Sequence, residues 1–423
     1  MRITILAVGS RGDMQPFTAL GLGLKEAGHN VRIAAATDYE GLVRPYGLDY
    51  APLVGSIREL MDRQAVTAIL DGADNPLRFV KGMMDTIRPL VARLIADCYA
   101  ASQDADALVV STLGLYAGYD VAETLGIPVF TAHLHPDVAT RYYPHVFAPV
   151  LPSWFPCRAQ YNRLSFGVSD AAYWAMIFGS LNQARRDIFG LPPLTPMDCL
   201  RRTRRPLRPV LHAYSPHMTR TPPDWGRNVH VTGYWFLDSA LGWEPDPALV
   251  RFLEAGPPPV YVGFGSALVG SDPDAVTRTV LGALQRTGQR GILMTGWGDL
   301  GNITLPESVL RVEQVPHDWL FPRVRAVVCH GGAGTTAAAL RAGIPPVLVP
   351  FYGDMHFWAQ RLERMGLGPR AVNRRQLTEE SLAAAIDQAV NDTSIRARVA
   401  IMARRIACER GVERGVEIIG GST

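Results

Sequence analysis

The chain has 423 residues, 48% of them apolar and 19% charged, with 42 Lys and Arg against 39 Asp and Glu. Such a length exceeds one ordinary hydrophobic core and favours two domains, the composition excludes a largely disordered chain, and a net charge of +3 gives nucleic acid no electrostatic reason to bind. Five cysteines, Cys98, Cys157, Cys199, Cys329 and Cys408, form no CxxC pair and suit a reducing, cytoplasmic setting, and no apolar run approaches the roughly 18 residues of a membrane span.

In chain order, "ITILAVGS" reads as a first strand buried on both faces rather than as a signal peptide. Helical spacing in "QPFTALGLGLKEAGH" and an extended "NVRIAAAT" complete a βαβ unit. Apolar runs at "ALVVST", "IPVFTAHL" and "PVLHAYS" continue a parallel sheet covered by helices. The Pro-, Gly- and Trp-rich stretch that follows loses helical period and reads as an interdomain linker over 225–245. The pattern then restarts with "PPVYVGFGSA", "RGILMTGWG", "RAVVCHGG" and "PPVLVPF". The expected fold is therefore α/β, with Rossmann-like domains over 1–224 and 246–395 facing across a cleft. Residues 396–423 read as a basic amphipathic helix and tail packing back towards the first domain.

The stretch "HGGAGTT", His330 to Thr336, joins a strand to a helix that Gly343, Pro345 and Pro346 bring to an end. Unpaired amides at a helix start favour an anion, and glycines let phosphate oxygens approach the backbone. His330 adds a donor, and the Thr335 and Thr336 hydroxyls can donate as well. The same spelling also suits a plain strand-to-helix turn with a threonine cap.

"HGGAGTTAAALRAGIPPVLVPFYGDMHFWAQRL" and "GSRGDMQPFTALGLGLKEAGH" resemble the donor and acceptor motifs of family 1 glycosyltransferases of the GT-B fold, in the bacterial antibiotic and sterol subgroup. "YNRLSF", "NQARRDIFGLPPL", "VTGYWF", "GFGSA" and "VPHDWLFPRV" extend the resemblance, in the right order, over nearly the whole chain. The resemblance implies that His330 and the backbone from Gly332 through Gly334 to Thr335 hold the diphosphate of a UDP- or TDP-sugar, with Ser266 reaching the same phosphates. It further implies that Val315 bonds the base through its backbone and that Asp354 bonds the sugar hydroxyls. Trp297 either packs near the base or belongs to the core. Met355 stands where relatives commonly have Gln, a lost amide that leaves glucose as one alternative and suits a deoxysugar with fewer hydroxyls as the other.

Asp13, just past the first strand, is by residue type an ordinary helix cap, but the resemblance makes it the general base of an inverting transfer; Arg11, two residues earlier, either contacts the diphosphate or forms a surface salt bridge. Aromatics in "RYYPHVFAPVLPSWF" form either core or the wall of an apolar acceptor pocket, with Tyr143 and Phe147 as candidate contacts for a bulky, polycyclic acceptor. No metal and no resident cofactor is expected: "DAD" at Asp104–Asp106 and "DPD" at Asp272–Asp274 match a metal-binding spelling without clustered ligands around them. Two rival functions remain, a catalytically silent nucleotide-sugar-binding protein and a dinucleotide-dependent oxidoreductase; the first glycine turn, "GSRGDM", lacks the GxGxxG spelling of the latter.

Overall fold

The computed structural model describes residues 1–54, 90–198, 209–239, 242–265, 273–295, 303–351 and 353–421. The chain forms two compact units, Met1–Leu237 together with Arg410–Thr423, and Asp238–Glu409.

The first unit is built on a parallel sheet of β1 (Arg2–Leu6), β2 (Asn30–Ala36), β3 (Asp49–Leu53), β4 (Ala107–Ser111), β5 (Val129–His133), β6 (Val210–His212) and β7 (Val229–Val231). Their order is β3-β2-β1-β4-β5-β6-β7. Every residue of β4 and all but the first of β1 are buried, which is why both read as unbroken apolar runs. Strand order reverses between β1 and β4, and such a reversal opens a crevice at the carboxyl ends of the two strands. Helix α1 (Arg11–Glu26) follows β1, α2 (Leu115–Leu125) follows β4, and the long α3 (Arg158–Asp187) leads towards β6.

The "NQARRDIFGLPPL" segment serves as a clasp for the end of α3. Asn182 Nδ2 donates to the Leu194 carbonyl at 3.0 Å, and Asn182 Oδ1 accepts from the Leu194 amide at 2.7 Å. Arg185, almost wholly buried, pairs with Asp120 of α2 and donates through Nε to the Pro192 carbonyl at 2.7 Å. A buried charge is tolerated only when paired and hydrogen-bonded in this way.

The second unit carries β8 (Val260–Gly263), β9 (Gly291–Met294), β10 (Val309–Val312), β11 (Ala326–Cys329) and β12 (Pro346–Leu348), parallel and in the order β10-β9-β8-β11-β12. Here the reversal falls between β8 and β11. Its helices include α4 (Pro273–Thr287), α5 (Ala333–Arg341), α6 (Met355–Met365), α7 (Glu379–Asn391) and α8 (Thr393–Ala407). Val260, Val262, Val328, Val347 and Ile386 belong to one buried core.

Three features depart from the sequence reading. β3 and β10 lie at sheet edges with partly exposed residues, so neither produces the apolar run that marks the central strands. Residues 229–231, read as linker, form β7, and the Trp235 indole beyond them donates to Thr232 Oγ1 and to the Gly411 carbonyl, each at 3.0 Å. The basic C-terminal stretch is two helices, α8 and then α9 (Gly411–Gly421), which belong to different units. α9 lies close against α1: a Cβ on Gly23 would stand 2.5 Å from Val412, and one on Gly415 would stand 3.1 Å from Leu20.

Candidate functional site

At the reversal point of the first sheet, the Val8 amide donates to Ser111 Oγ at 3.0 Å and that hydroxyl donates back to the Val8 carbonyl at 3.1 Å, tying the ends of β1 and β4 together. α1 begins earlier than its apolar spacing indicates, at Arg11, with Ser10 as cap. Asp13 therefore sits in the first helical turn, where its Oδ2 accepts from the Ser10 amide at 2.7 Å and from the Ser10 hydroxyl at 3.0 Å. These bonds fix the orientation of the carboxylate. Gly9 is required beside it: its φ is +153°, and a Cβ there would overlap the Asp13 carboxyl. Tyr39, buried just after β2, has its phenol pushed up by burial first and then by the charge of Asp13. Arg11 is exposed on the opening turn of α1.

The reversal point of the second sheet is built from backbone. Gly332 caps α5 and offers no side chain, so the amides of Ala333, Gly334 and Thr335 head the helix ahead of the first helical bond, from the Thr336 amide to the Gly332 carbonyl at 3.0 Å. His330 stands between the two glycine turns. A Cβ on Gly332 would come 2.6 Å from its Nε2, and one on Gly265, at φ +58°, would come 3.3 Å from its Cε1. Burial pushes the imidazole down to about 4, against the opposing pull of the Gly263 carbonyl, so the ring is neutral at pH 7. Its Nδ1 has no hydrogen-bond partner among the described residues. Thr336, 3% exposed, turns into the core, so only Thr335 of the two threonines borders the helix start.

Asp354 precedes α6 and accepts from the Trp358 indole at 3.0 Å. Met355, the residue after Asp354, is buried in the core with Val349 and Phe351, and its Cβ lies 3.6 Å from where a Cβ of Gly331 would be. Val315 is half-buried just before the short helix His317–Leu320, where the His317 ring stacks on Phe321 at 4.3 Å. Ser266, Trp297 and Asp272 lie outside the described residues.

Asp104 and Asp106 sit at the amino-terminal rim of the first sheet, opposite the end that carries Asp13. Arg32 NH1 lies 2.5 Å from Asp104 Oδ1, and the Arg2 amide donates to Asp106 Oδ2 at 2.7 Å. Asp274 lies in the first turn of α4.

Sequence reasoning missed a polar cluster at the carboxyl ends of β5 and β6. His133 Nδ1 lies 3.0 Å from Asp137 Oδ2, and His145 Nε2 and His135 Nε2 lie 3.1 and 3.7 Å from Asp137 Oδ1. Burial alone would push the Asp137 carboxyl up, but the charge of His133 and hydrogen bonds from His133 and His145, with His135 close by, hold it well below the usual carboxylate range. His133 also meets Thr112 Oγ1 at 2.9 Å, beside the end of β4. Phe147, 63% exposed, rests on His145 and His135 at ring distances of 5.1 and 6.2 Å. Tyr143 instead packs edge-on against Trp225, which stacks on His212 at 4.7 Å. The available signal was the spelling "HLHPD" directly after an apolar strand.

Residues 3–144 match the glycosyltransferase family 28 N-terminal domain, and residues 294–412 match the erythromycin biosynthesis protein CIII-like C-terminal domain. The chain is 36% identical to a sterol 3-beta-glucosyltransferase of Neosartorya fischeri, over 99% of this chain and 29% of that protein. It is 35% identical to the UDP-sugar-dependent glycosyltransferase 52 of Dictyostelium discoideum, over 99% of this chain and 26% of that one. It thus spans less than a third of the length of these two curated relatives. Among solved structures, the glycotransferase of kitacinnamycin shares the fold, with a TM-score of 0.70 at 19% identity over 100% of this chain and 98% of the other.

Proposed function

We propose that this chain is a family 1 glycosyltransferase of the GT-B fold and that it moves a hexose or deoxyhexose from a UDP- or TDP-sugar to a hydrophobic, sterol-like or polycyclic acceptor, with inversion at the anomeric carbon. The observation that carries the donor half is the glycine-capped start of α5 beside a neutral, half-buried His330. Such a helix start presents several amides and a positive dipole end to a diphosphate, and a neutral imidazole donates without needing a counter-charge of its own. As the sugar leaves, these donors stabilise the charge that grows on the departing diphosphate, and no step calls for a metal ion. Asp13 takes the proton of the attacking acceptor group from its oriented place at the first reversal point. Thr335 and Asp354 border the donor, Val315 meets the base, and Phe147 offers an apolar contact to the acceptor. The names of the curated relatives support a sterol-like acceptor and a nucleotide-sugar donor. Incubation with UDP- and TDP-sugars and a sterol, followed by mass spectrometry of the products, tests the reading; absence of sugar transfer together with retained nucleotide binding would favour a silent binding protein, in which Asp13 is only a cap.

A further inference from the structure

The outer face of α3 carries an exposed apolar stripe, in which Phe178 touches the Trp174 ring of the same helix at 5.3 Å. Leu164, Val168, Ala171, Ala175 and Phe178 are all exposed and follow one another at alternating steps of four and three residues, which places them on one helix face over about 21 Å. Leu164 is 66% and Val168 60% exposed, unusual values for large aliphatic side chains on a helix whose other face holds the buried Phe166, Trp174, Ile177 and Leu181. Just before the helix, Trp154 and Phe155 are 79% and 40% exposed, with ring centroids 6.3 Å apart.

Along the chain the charges beside this face are basic, while the exposed Asp224 carboxylate accepts from the Arg141 amide at 2.9 Å. From residue 138 to 169 the sequence carries Arg141, Arg158 and Arg163 and no acid, and the three arginines are exposed and form no ion pair among the described residues. The next acid along the helix, Asp170, is half-buried. At 100° per residue, Arg163 lies about 100° to one side of Leu164 and Arg158 about 120° to the other. We propose that this face of α3, with Trp154 and Phe155, rests on an anionic lipid surface. Apolar side chains enter the headgroup boundary, the indole sits at the interface, and the flanking arginines reach anionic headgroups. No described helix is long and apolar enough to cross a membrane, so the attachment is interfacial. A parallel two-fold pairing of a second copy on this stripe would bring the same arginines together, and the test below separates an antiparallel one. The attachment needs neither donor nor acceptor and stands apart from the proposed transfer.

The test is co-sedimentation of the full chain, without sugar or acceptor, with vesicles of phosphatidylcholine alone and of phosphatidylcholine mixed with phosphatidylglycerol. Binding to the mixed vesicles is expected to exceed binding to the neutral ones and to weaken with salt. Each arginine removed should weaken it about fivefold, so Arg158→Gln with Arg163→Gln costs about 25-fold. Trp154→Ser with Phe155→Ser should release the protein as well. An unchanged thermal transition in each variant keeps loss of folding separate. Equal binding to both vesicle types, no binding to either, or binding untouched by these substitutions overturns the proposal. So does a concentration-dependent dimer in sedimentation velocity that Leu164→Glu dissociates, which would give the face to a second copy.

Discussion

The two sheet reversal points share one architecture and carry opposite chemistry. At the end of β1 and β4 the candidate groups are side chains: Asp13 oriented by Ser10, Tyr39 near it, and Asp137 with its three histidines further along the same rim. At the end of β8 and β11 they are mainly backbone amides, with glycine at each close approach and one neutral imidazole between the turns. A parallel sheet supplies a crevice in both places, and the residues filling it decide whether it handles a proton or an anion. Substitutions at the first rim should therefore change rate, and substitutions at the second should change donor affinity.

The sharpest way to break this contrast is Asp13→Asn, which keeps size and the bond from the Ser10 amide but accepts no proton. Turnover is expected to fall by about 10² to 10⁴ with nucleotide affinity nearly constant. Parallel steady-state kinetics and calorimetry check it; equal losses in both would make Asp13 a donor ligand.

Gly332→Ala comes next. Its Cβ meets His330 Nε2 at 2.6 Å, so the ring must move and the helix start is blocked together with it. Loss of about 3 kcal/mol or more in UDP or TDP binding is expected, the weight of at least one strong hydrogen bond to a charged ligand and part of another. Fluorescence or calorimetric titration reads it directly.

His330→Ala removes one donor and leaves the amides, so it should cost about 1.5 to 3 kcal/mol of nucleotide affinity. The same residue marks stability. Its folded pKa of about 4 lies below the ordinary 6.5, so between those values the unfolded chain binds the extra proton and stability rises with pH. Denaturant midpoints of the wild type at pH 4.5 and 7 should differ by more than those of His330→Ala.

The smallest expected effect is none. With helix amides and His330 stabilising the leaving group, EDTA should leave transfer rates unchanged, and restoration of a chelated activity by magnesium or manganese would demand a metal role.

Much of this layout was legible in the sequence because central parallel strands are buried on both faces and glycine turns interrupt them. "AVVCH" followed by "GGAGTT" signalled β11, the turn and α5 together. Edge strands β3 and β10 were not legible, since half-exposed residues give no apolar run. One residue at a helix start carries no period, so nothing in the sequence showed that Met355 packs in the core with Val349 and Phe351. The Asp137 cluster escaped because His145 lies 8 residues further along the chain and only the turn of the backbone after β5 brings it to the carboxylate.

The division of labour between the two rims is tested most directly by calorimetric titration of UDP and TDP into folded Asp13→Asn and Gly332→Ala under one set of conditions. Near wild-type affinity in Asp13→Asn, with affinity in Gly332→Ala lowered by about 100-fold or more, is the expected result. Unchanged affinity in Gly332→Ala, or an equal loss in both variants, would contradict it.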